Sequence, residues 1–381
     1  MNGIYYNFVD HCAENWLGRE QFSSAWWRLN KNDPQWAPPY YPAFRRALDA
    51  SRNPHLARCS HTLFHLTATR KSGRKTDQGD QINQDILLGI SLDVSVGAAV
   101  LIKDPRQVDG STHLAWLHSI NDRDSFEHLL DLASENGRQM GARRLLAPTG
   151  LSPHLGSGLL VDRWNATPPL HSAYNPPYLP ELMHSEMELL ETSRLYRLGI
   201  PEDGNGELPH HPAQVEGLEP ARLGEDLLPL FVAACAGWDN FSPPDQVETK
   251  FILDQISSWP VYARLASVED RPAGFILLQP DLAPRLKTAA GGRRLLRRMW
   301  LQAWQGRPVE QGRLLFGAVL PEWRGQGIGR QLFQLAMHIG RGQGWRWLIL
   351  GPSKDDSPAA HLLQSHHAQQ FGTLQLLQRS L

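Results

Sequence analysis

Cysteine is scarce in this sequence, with three in 381 residues, at Cys12, Cys59 and Cys235. They lie far apart and form no CxxC pair. That spacing argues against a structural zinc site, and no metal is expected; so few thiols suit a reducing compartment. An excess of charge of either sign is also missing. Lys and Arg number 38 against 39 Asp and Glu, so there is no whole-molecule electrostatic case for nucleic acid. No apolar run approaches the ~20 residues that span a bilayer. The first ten residues, Met1 to Asp10, are neither led by Lys or Arg nor a long apolar stretch, so no signal peptide is read there. The expectation is a cytoplasmic protein without a transmembrane segment.

Length and apolar content are plentiful. A hydrophobic share of 41% against 20% charged describes a globular chain rather than a disordered one. Its length exceeds one average core and predicts two domains. The Pro- and Gly-rich stretch from Pro201 to Pro212 has no apolar periodicity and reads as a linker. The division that follows is 1–200, a linker at 201–213, and 214–381.

In the first part, an irregular arm studded with Trp26, Trp27, Pro34, Trp36, Pro38, Pro39 and Pro42 leads to a helix near 43–50. Strands are expected at 61–70, 88–96, 114–118 and 144–147, with a polar loop at 71–84 and a helix at 125–140. The second part repeats the order. Strands are expected at 215–222, 261–267, 274–279, 314–320, 347–350 and 373–380, and helices at 227–236, 329–341 and 357–366. Locally the two parts echo each other. Gly141 to Pro148, followed by Ser152-Pro153, parallels Gly344 to Pro352, followed by Ser357-Pro358. In each, a helix ends at glycine, a buried strand is stopped by proline, and Ser-Pro opens the next helix. This grammar points to a duplicated α/β unit.

The stretch that carries chemistry runs from Leu315 to Phe333. An apolar strand enters a loop with Gly325, Gly327 and Gly329, and a helix follows at once. Unpaired N–H groups and a partial positive charge at a helix start, with glycines that let the backbone approach closely, make a cradle for phosphate or diphosphate. No Lys follows the glycines, so the Walker A pattern fails, and GxGxxG fails in both registers. What remains is Val319-Leu-Pro321 followed by Arg324-Gly-Gln-Gly-Ile-Gly329. This resembles motif A of the GNAT superfamily of N-acetyltransferases. The resemblance implies two tandem GNAT-like α/β domains. Each is a central, mostly antiparallel sheet with a splayed parallel pair, flanked by helices, and only the second carries motif A. It further implies acetyl-CoA as co-substrate, with Gln326, Gly327, Ile328, Gly329 and Arg330 gripping its diphosphate and Gly325 shaping the loop. Ala318, Val319 and Leu320 would pair with the pantetheine arm. The Val319 N–H would polarise the thioester carbonyl, and Arg324 would add a contact or brace the loop.

The match to the family departs at a later motif. Ser357, Ala360 and Leu363 fit it, but Gln364 stands where the family often has a proton-donating tyrosine, and glutamine cannot supply that proton. His366 or His367 are the side chains nearby that could substitute. Glu322 adjoins the loop on its solvent side. The analogy places Trp238 to Phe241 beside the acceptor groove and makes Asp239 the one weak base candidate. In the first part the corresponding loop, Ser119 to Asp124, has no glycine and carries two aspartates, so no acyl-CoA is expected there. The segment 282–309 holds Arg285, Lys287, Arg293, Arg294, Arg297, Arg298 and Arg307 and no acid. It predicts a basic amphipathic helix near 293–304 with Leu296, Met299, Trp300, Ala303 and Trp304 on its apolar face, able to meet an acidic partner. The reading is an acetyl-CoA-dependent N-acetyltransferase acting on a small-molecule or peptide amine, with a CoA-binding scaffold or regulatory protein as the alternative.

Overall fold

The computed structural model describes residues 5–12, 15–71, 93–201, 213–218, 227–235 and 240–381. The first part contains β1 (Tyr5–Cys12), α1 (Trp16–Asn30), α2 (Tyr41–Ala47), α3 (Pro54–Arg58), β2 (Ser60–Lys71) and β3 (Asp93–Lys103). It continues with β4 (Ser111–Ser119), α4 (Arg123–Gln139), β5 (Arg144–Thr149), β6 (Leu159–Leu160), α5 (Leu179–Glu186) and β7 (Glu188–Gly199). The second part contains β8 (Gln214–Leu218), α6 (Leu228–Cys235), α7 (Gln246–Ile256), β9 (Tyr262–Val268), β10 (Arg271–Pro280) and α8 (Ala283–Thr288). After these come α9 (Leu295–Trp304), β11 (Gln311–Val319), α10 (Ile328–Gly342), β12 (Trp347–Lys354), α11 (Pro358–Ser365) and β13 (Gln369–Ser380).

Both parts build the same unit, a mostly antiparallel sheet with one parallel pair. The parallel pairs are β4/β5 and β11/β12. Helices cover both faces of each unit. In the second, α10 and α11 pack Ile328, Leu332, Ala336 and Leu363 onto one face of the sheet. On the other face α6 and α7 pack Phe231, Ile252 and Ile256 against Phe275 and Phe316. Burial of such side chains contributes roughly 1.5–3 kcal/mol each, and it fixes which face of every strand looks inward.

The two units share one sheet through an exchange of strands. The order is β1-β2-β3-β4-β5-β13-β7-β12-β11-β10-β9-β8, with β6 pairing β13 off that path. The last strand of the chain, β13, pairs with β5 of the first unit, and β7 of the first part pairs with β12 of the second. β7 and β13 pair with each other between them. Each outer parallel strand thus gains its missing neighbour from the opposite part of the chain.

Several elements differ from the sequence-based expectation. The aromatic arm contains the helix α1. Asn15 caps it by accepting from Gly18 N at 2.9 Å, and Phe22, Trp26 and Trp27 pack into a cluster with Trp36 and Phe44. Residues 16–30 hold no proline, which is what lets the helix form before the proline-rich part begins. α7 was also not expected, although Asp245 and Glu248 form a capping box at its start. The strand expected at 88–96 is seen from Asp93, and its earlier residues lie outside the described ones. So do Asp239, most of the proposed linker and most of the polar loop at 71–84.

The basic helix forms, but with a different buried face. Leu301 is the buried residue of α9, while Leu296 and Met299 are 79% and 57% exposed. Trp300 and Trp304 stack on each other at 5.2 Å, with the Arg307 guanidinium 3.5 Å from the Trp304 ring. The helix packs through Leu301 against Leu282 and Leu286, at the cap and in the body of α8, so heptad-like spacing was not enough to say which side is buried. Among the described residues, no helix is long and apolar enough to cross a membrane.

Candidate functional site

β11 ends at Val319, a short turn of 3-10 helix spans Pro321–Trp323, and α10 begins at Ile328. Gly325 and Gly327 take φ of +79° and +82°, the left-handed region that glycine enters without a Cβ penalty. Gly327 is the N-cap of α10. No side chain caps this helix, and its first turn has no acidic residue. The N–H groups of Ile328, Gly329 and Arg330 therefore have no intrahelical acceptor and stand at the positive end of a fifteen-residue helix. The loop faces open space at Gly325, where an added Cβ would meet nothing within 4 Å. Arg324 folds back and donates from Nε to the Val319 carbonyl at 3.1 Å. It braces the loop against the strand it follows.

That strand faces a cleft. β11 and β12 pair only over Gln311↔Trp347, Gly312↔Leu348 and Arg313↔Ile349. Beyond those pairs β11 runs on to Val319 and β12 to Lys354 without pairing, so the two diverge. On its other side β11 stays bonded to β10, with an irregularity opposite Leu277/Leu278 that leaves Leu315 unpaired, a bulge of the kind that re-aims backbone groups. Leu320 N donates to Ala273 O on the β10 side at 2.9 Å. Successive amides in a strand point to opposite edges, so the Val319 N–H points into the cleft. The expected carbonyl-polarising amide and the expected diphosphate cradle thus lie at adjoining ends of one opening.

The first unit has the same elements with the opposite chemistry. The helix after β4, α4, starts at Arg123, and Asp122 caps it. The Asp122 carboxylate accepts from Ser125 N at 2.9 Å and Ser125 Oγ at 2.6 Å. An internal carboxylate occupies the place where a diphosphate would bind, and Asp124 adds a second negative charge in the first turn.

Acid and base candidates fare unevenly. Gln364 and His367 are exposed on and just after α11. The His366 ring packs on Phe333 of α10 at 4.8 Å. Burial, with Arg330 and His367 close by, holds its pKa below the usual imidazole value. It is neutral at neutral pH and cannot serve as a ready proton donor. Glu322 is exposed on the turn before the glycine loop. Asp239 lies outside the described residues, but its neighbour Asn240 donates to Glu191 Oε2 at 3.1 Å, and Glu191 pairs with Lys354 at the end of β12 at 2.9 Å. Glu191 is a carboxylate near the diverging end of β12 that sequence reasoning missed. Its strand, β7, belongs to the first part of the chain, so no local motif marks it.

A second residue missed from sequence is Arg313. It sits at the last position of β11 that pairs with β12 and is 3% exposed. It donates to Ser172 Oγ at 2.6 Å, tying a loop of the first unit to the root of the cleft. Burial lowers its pKa to about 10, partly offset by Asp281. Asp281 is buried too, which raises its pKa, and it accepts from Leu170 N at 2.9 Å and Ala283 N at 3.0 Å. A lone arginine in the apolar run Leu314 to Leu320 and its neighbours was the only signal available.

The units are further locked by a buried ionic network. Glu248 accepts from Arg106 at 2.9 and 3.0 Å, from Arg58 at 3.2 Å, and faces His55 Nδ1 at 3.2 Å. Burial raises its pKa, but His55 and Arg106 outweigh that and hold the carboxyl below its usual value. Among the described residues, His55, Cys59 and Asp104 bring one potential metal-ligand atom each within 4.8 Å of the others. Asp104, however, is bound by Arg106 Nε at 3.0 Å and Nη2 at 2.7 Å. Burial pushes the Cys59 thiol up to about 12. The group is built around an arginine rather than an added cation.

Residues 232–368 match the family model for the acetyltransferase (GNAT) family. No curated protein matches the chain. Among solved structures, the chain is similar to a tandem GNAT protein from the clavulanic acid biosynthesis pathway, at 14% identity and a TM-score of 0.55, covering 99% of this chain and 98% of that one. It is also similar to a GCN5-related N-acetyltransferase from Anabaena variabilis, at 10% identity and a TM-score of 0.52, covering 98% and 73%. A third similar structure is a fungal multi-domain GH3 β-N-acetylglucosaminidase with a glucosamine N-acetyltransferase region, at 13% identity and a TM-score of 0.55, of which the chain spans 38%. At these identities the likeness is one of fold, and it extends over both units.

Proposed function

We propose, from the match of residues 232–368 to the GNAT acetyltransferase family, that the protein is an acetyl-CoA-dependent N-acetyltransferase acting on an amine. The observation that carries the reading is the uncapped start of α10, with Gly327 at φ +82°, beside a strand pair that diverges after Arg313↔Ile349. Backbone N–H groups of Gln326 to Arg330 hold the diphosphate. The free edge of β11 at Ala318 to Leu320 takes the pantetheine arm, and the Val319 N–H supports the carbonyl oxygen as it gains charge.

In the reaction the neutral amine nitrogen attacks the thioester carbonyl carbon. A C–N bond forms, the C–S bond breaks, the nitrogen loses a proton and the departing thiolate gains one. A lysine-like amine begins as an ammonium with a pKa of ~10.4, so a base must act first. Glu191 and Asp239 are the carboxylates we assign to that side of the cleft, and Gln364 leaves the thiolate to be protonated by water.

Acetyl-CoA should raise the melting temperature of the wild-type chain. Gly327→Asp, which sets a carboxylate in the cradle, should abolish that rise, and equal stabilisation of both proteins would refute the site. Gln364 favours one other reading, a CoA-binding protein without turnover. Tight CoA binding with no thiol release across a panel of amines would select it. We place the protein in the cytoplasm and assign the exposed Leu295, Leu296 and Met299 with Arg294 and Arg297 to an acidic partner. Retention on heparin that survives Arg294→Glu/Arg297→Glu would overturn that last assignment.

A further inference from the structure

The connection from β10 to β11 turns an apolar ridge outward. Leu301 is the residue through which α9 is buried. At about 100° per residue, Leu295, Leu296, Met299 and Ala303 all lie within about 60° of the direction opposite Leu301. The crest of the helix is therefore apolar, and Leu295, Leu296 and Met299 are 67%, 79% and 57% exposed. Arg297 and Arg298 fall on its two flanks, more than about 100° from the crest, and Arg294 stands at its start. We propose that α9 is an in-plane anchor for a lipid surface with anionic headgroups. This rests on the assignment of the helix to an acidic partner and names that partner; no residue assigned to coenzyme A belongs to the ridge.

Both ends of the ridge are fastened. At the C-terminal end Arg285 donates to the carbonyls of Trp304, Arg307 and Pro308, the last two at 2.8 Å each. At the other end Arg293 donates to Ser24 Oγ of α1 at 3.3 Å, and its guanidinium lies 5.9 Å from the Trp27 ring and 5.6 Å from the Tyr41 ring. Those two arginines hold the helix in place. Arg294 and Arg297 do not, and both are exposed. Among the described residues, no carboxylate pairs with Arg294, Arg297 or Arg298, and no acid occurs between residues 282 and 309. A fixed helix thus presents three large apolar side chains to solvent with uncompensated positive charge beside them, a surface that calls for a negatively charged and partly apolar cover.

The order of chemistry across the ridge decides the kind of cover. A helix lying in a bilayer interface sinks its apolar face past the headgroups, while long cationic side chains on the flanks reach back to the phosphates. A carboxylate-rich peptide or a nucleic acid is met the other way round, with guanidinium groups at the centre of the contact. Here the centre is Leu295, Leu296 and Met299. Trp300 and Trp304, half-buried beside the crest, are the residue type that favours the boundary between headgroup and acyl chain. The crest supplies insertion. The arginines supply the preference for negative headgroups, each adding about fivefold in affinity near such a surface.

Co-sedimentation of the full chain with vesicles of phosphatidylcholine alone, and of phosphatidylcholine mixed with phosphatidylglycerol, tests the proposal. At low salt the mixed vesicles should bind the chain at least about tenfold more tightly than the neutral ones. Leu296→Asp/Met299→Asp should abolish that binding and leave the melting temperature unchanged, since both side chains are exposed. Arg294→Ala/Arg297→Ala should weaken it roughly twentyfold. Should the aspartate variant fail to fold, the arginine variant decides. The proposal is overturned by equal binding to both kinds of vesicle, by binding to neither, or by undiminished binding in a folded double variant. A dimer in solution that Leu296→Asp/Met299→Asp dissolves would assign the crest to a second copy of the chain and overturn it as well. Retention on heparin that depends on Arg294 and Arg297, without vesicle binding, overturns the lipid and leaves the acidic partner standing; the absence of both overturns the two readings together.

Discussion

Gly329→Ala separates the two reasons for glycine in the loop before α10. Gly325 and Gly327 need their glycine for conformation, since both have positive φ. Gly329 does not. It lies in the first turn of α10, and a Cβ added there would meet only Val319 Cγ2, at 3.7 Å, an ordinary contact. The folded chain should therefore accept alanine, and relief of glycine's backbone freedom should add about 0.5–1 kcal/mol of stability. The same methyl group points toward the Val319 end of β11, across the path from the thioester to the diphosphate. If it displaces one charge-assisted N–H contact, the loss is about 1.5–3 kcal/mol, or roughly a tenfold to hundredfold weaker affinity. Calorimetric titration with acetyl-CoA, together with melting curves of the free protein, measures both effects. Undiminished acetyl-CoA affinity would show that the cradle lies elsewhere. A fall of several degrees in melting temperature would show that the space beside Gly329 is not what the structure describes.

Three further outcomes are expected. His113, His118 and His154 are buried neutral, with pKa values lowered to about 4 by burial. The unfolded chain binds protons near pH 6.5 that the folded chain refuses. Stability should then hold above that pH and fall toward pH 4 by roughly 1.4 kcal/mol per proton per pH unit; urea midpoints that do not move between pH 7 and 5 would contradict this burial. Arg106→Ala leaves Asp104 and Glu248 without their shared partner and should cost about 3 kcal/mol, read as a lowered urea midpoint, whereas Arg123→Ala at an exposed helix pair should leave that midpoint almost where it was. Residues 1–200 expressed alone should be poorly soluble, because β5 loses β13 and β7 loses both neighbours; a soluble, monomeric fragment with a cooperative melt would argue against the strand exchange.

The glycine loop shows how far local sequence reaches. Val319 to Gly329 specifies strand, turn and helix start within eleven successive positions. Hydrophobic period, positive-φ glycines and an uncapped helix are all local properties, so the order of elements and the glycine-led, uncapped helix start were legible. The acidic plug of the first unit was legible for the same reason, since Asp122 acts on Ser125 three residues away. The helix α1 was legible in principle from Asn15 and was hidden by the prolines after it.

What the tertiary structure alone decided is which distant segments meet. β7 and β13 cross over because β5 and β12 each have an edge that any strand of suitable pattern can pair with, and pattern does not name the partner. Glu191 meets Lys354 at the end of β12 only through that exchange. Arg313 meets Ser172, and Glu248 meets Arg106, across well over a hundred residues of chain. The seating of α9 likewise needs Ser24 and Arg293 brought together from both units. Contacts of that kind depend on the packing of whole surfaces, and no spacing along the chain encodes them.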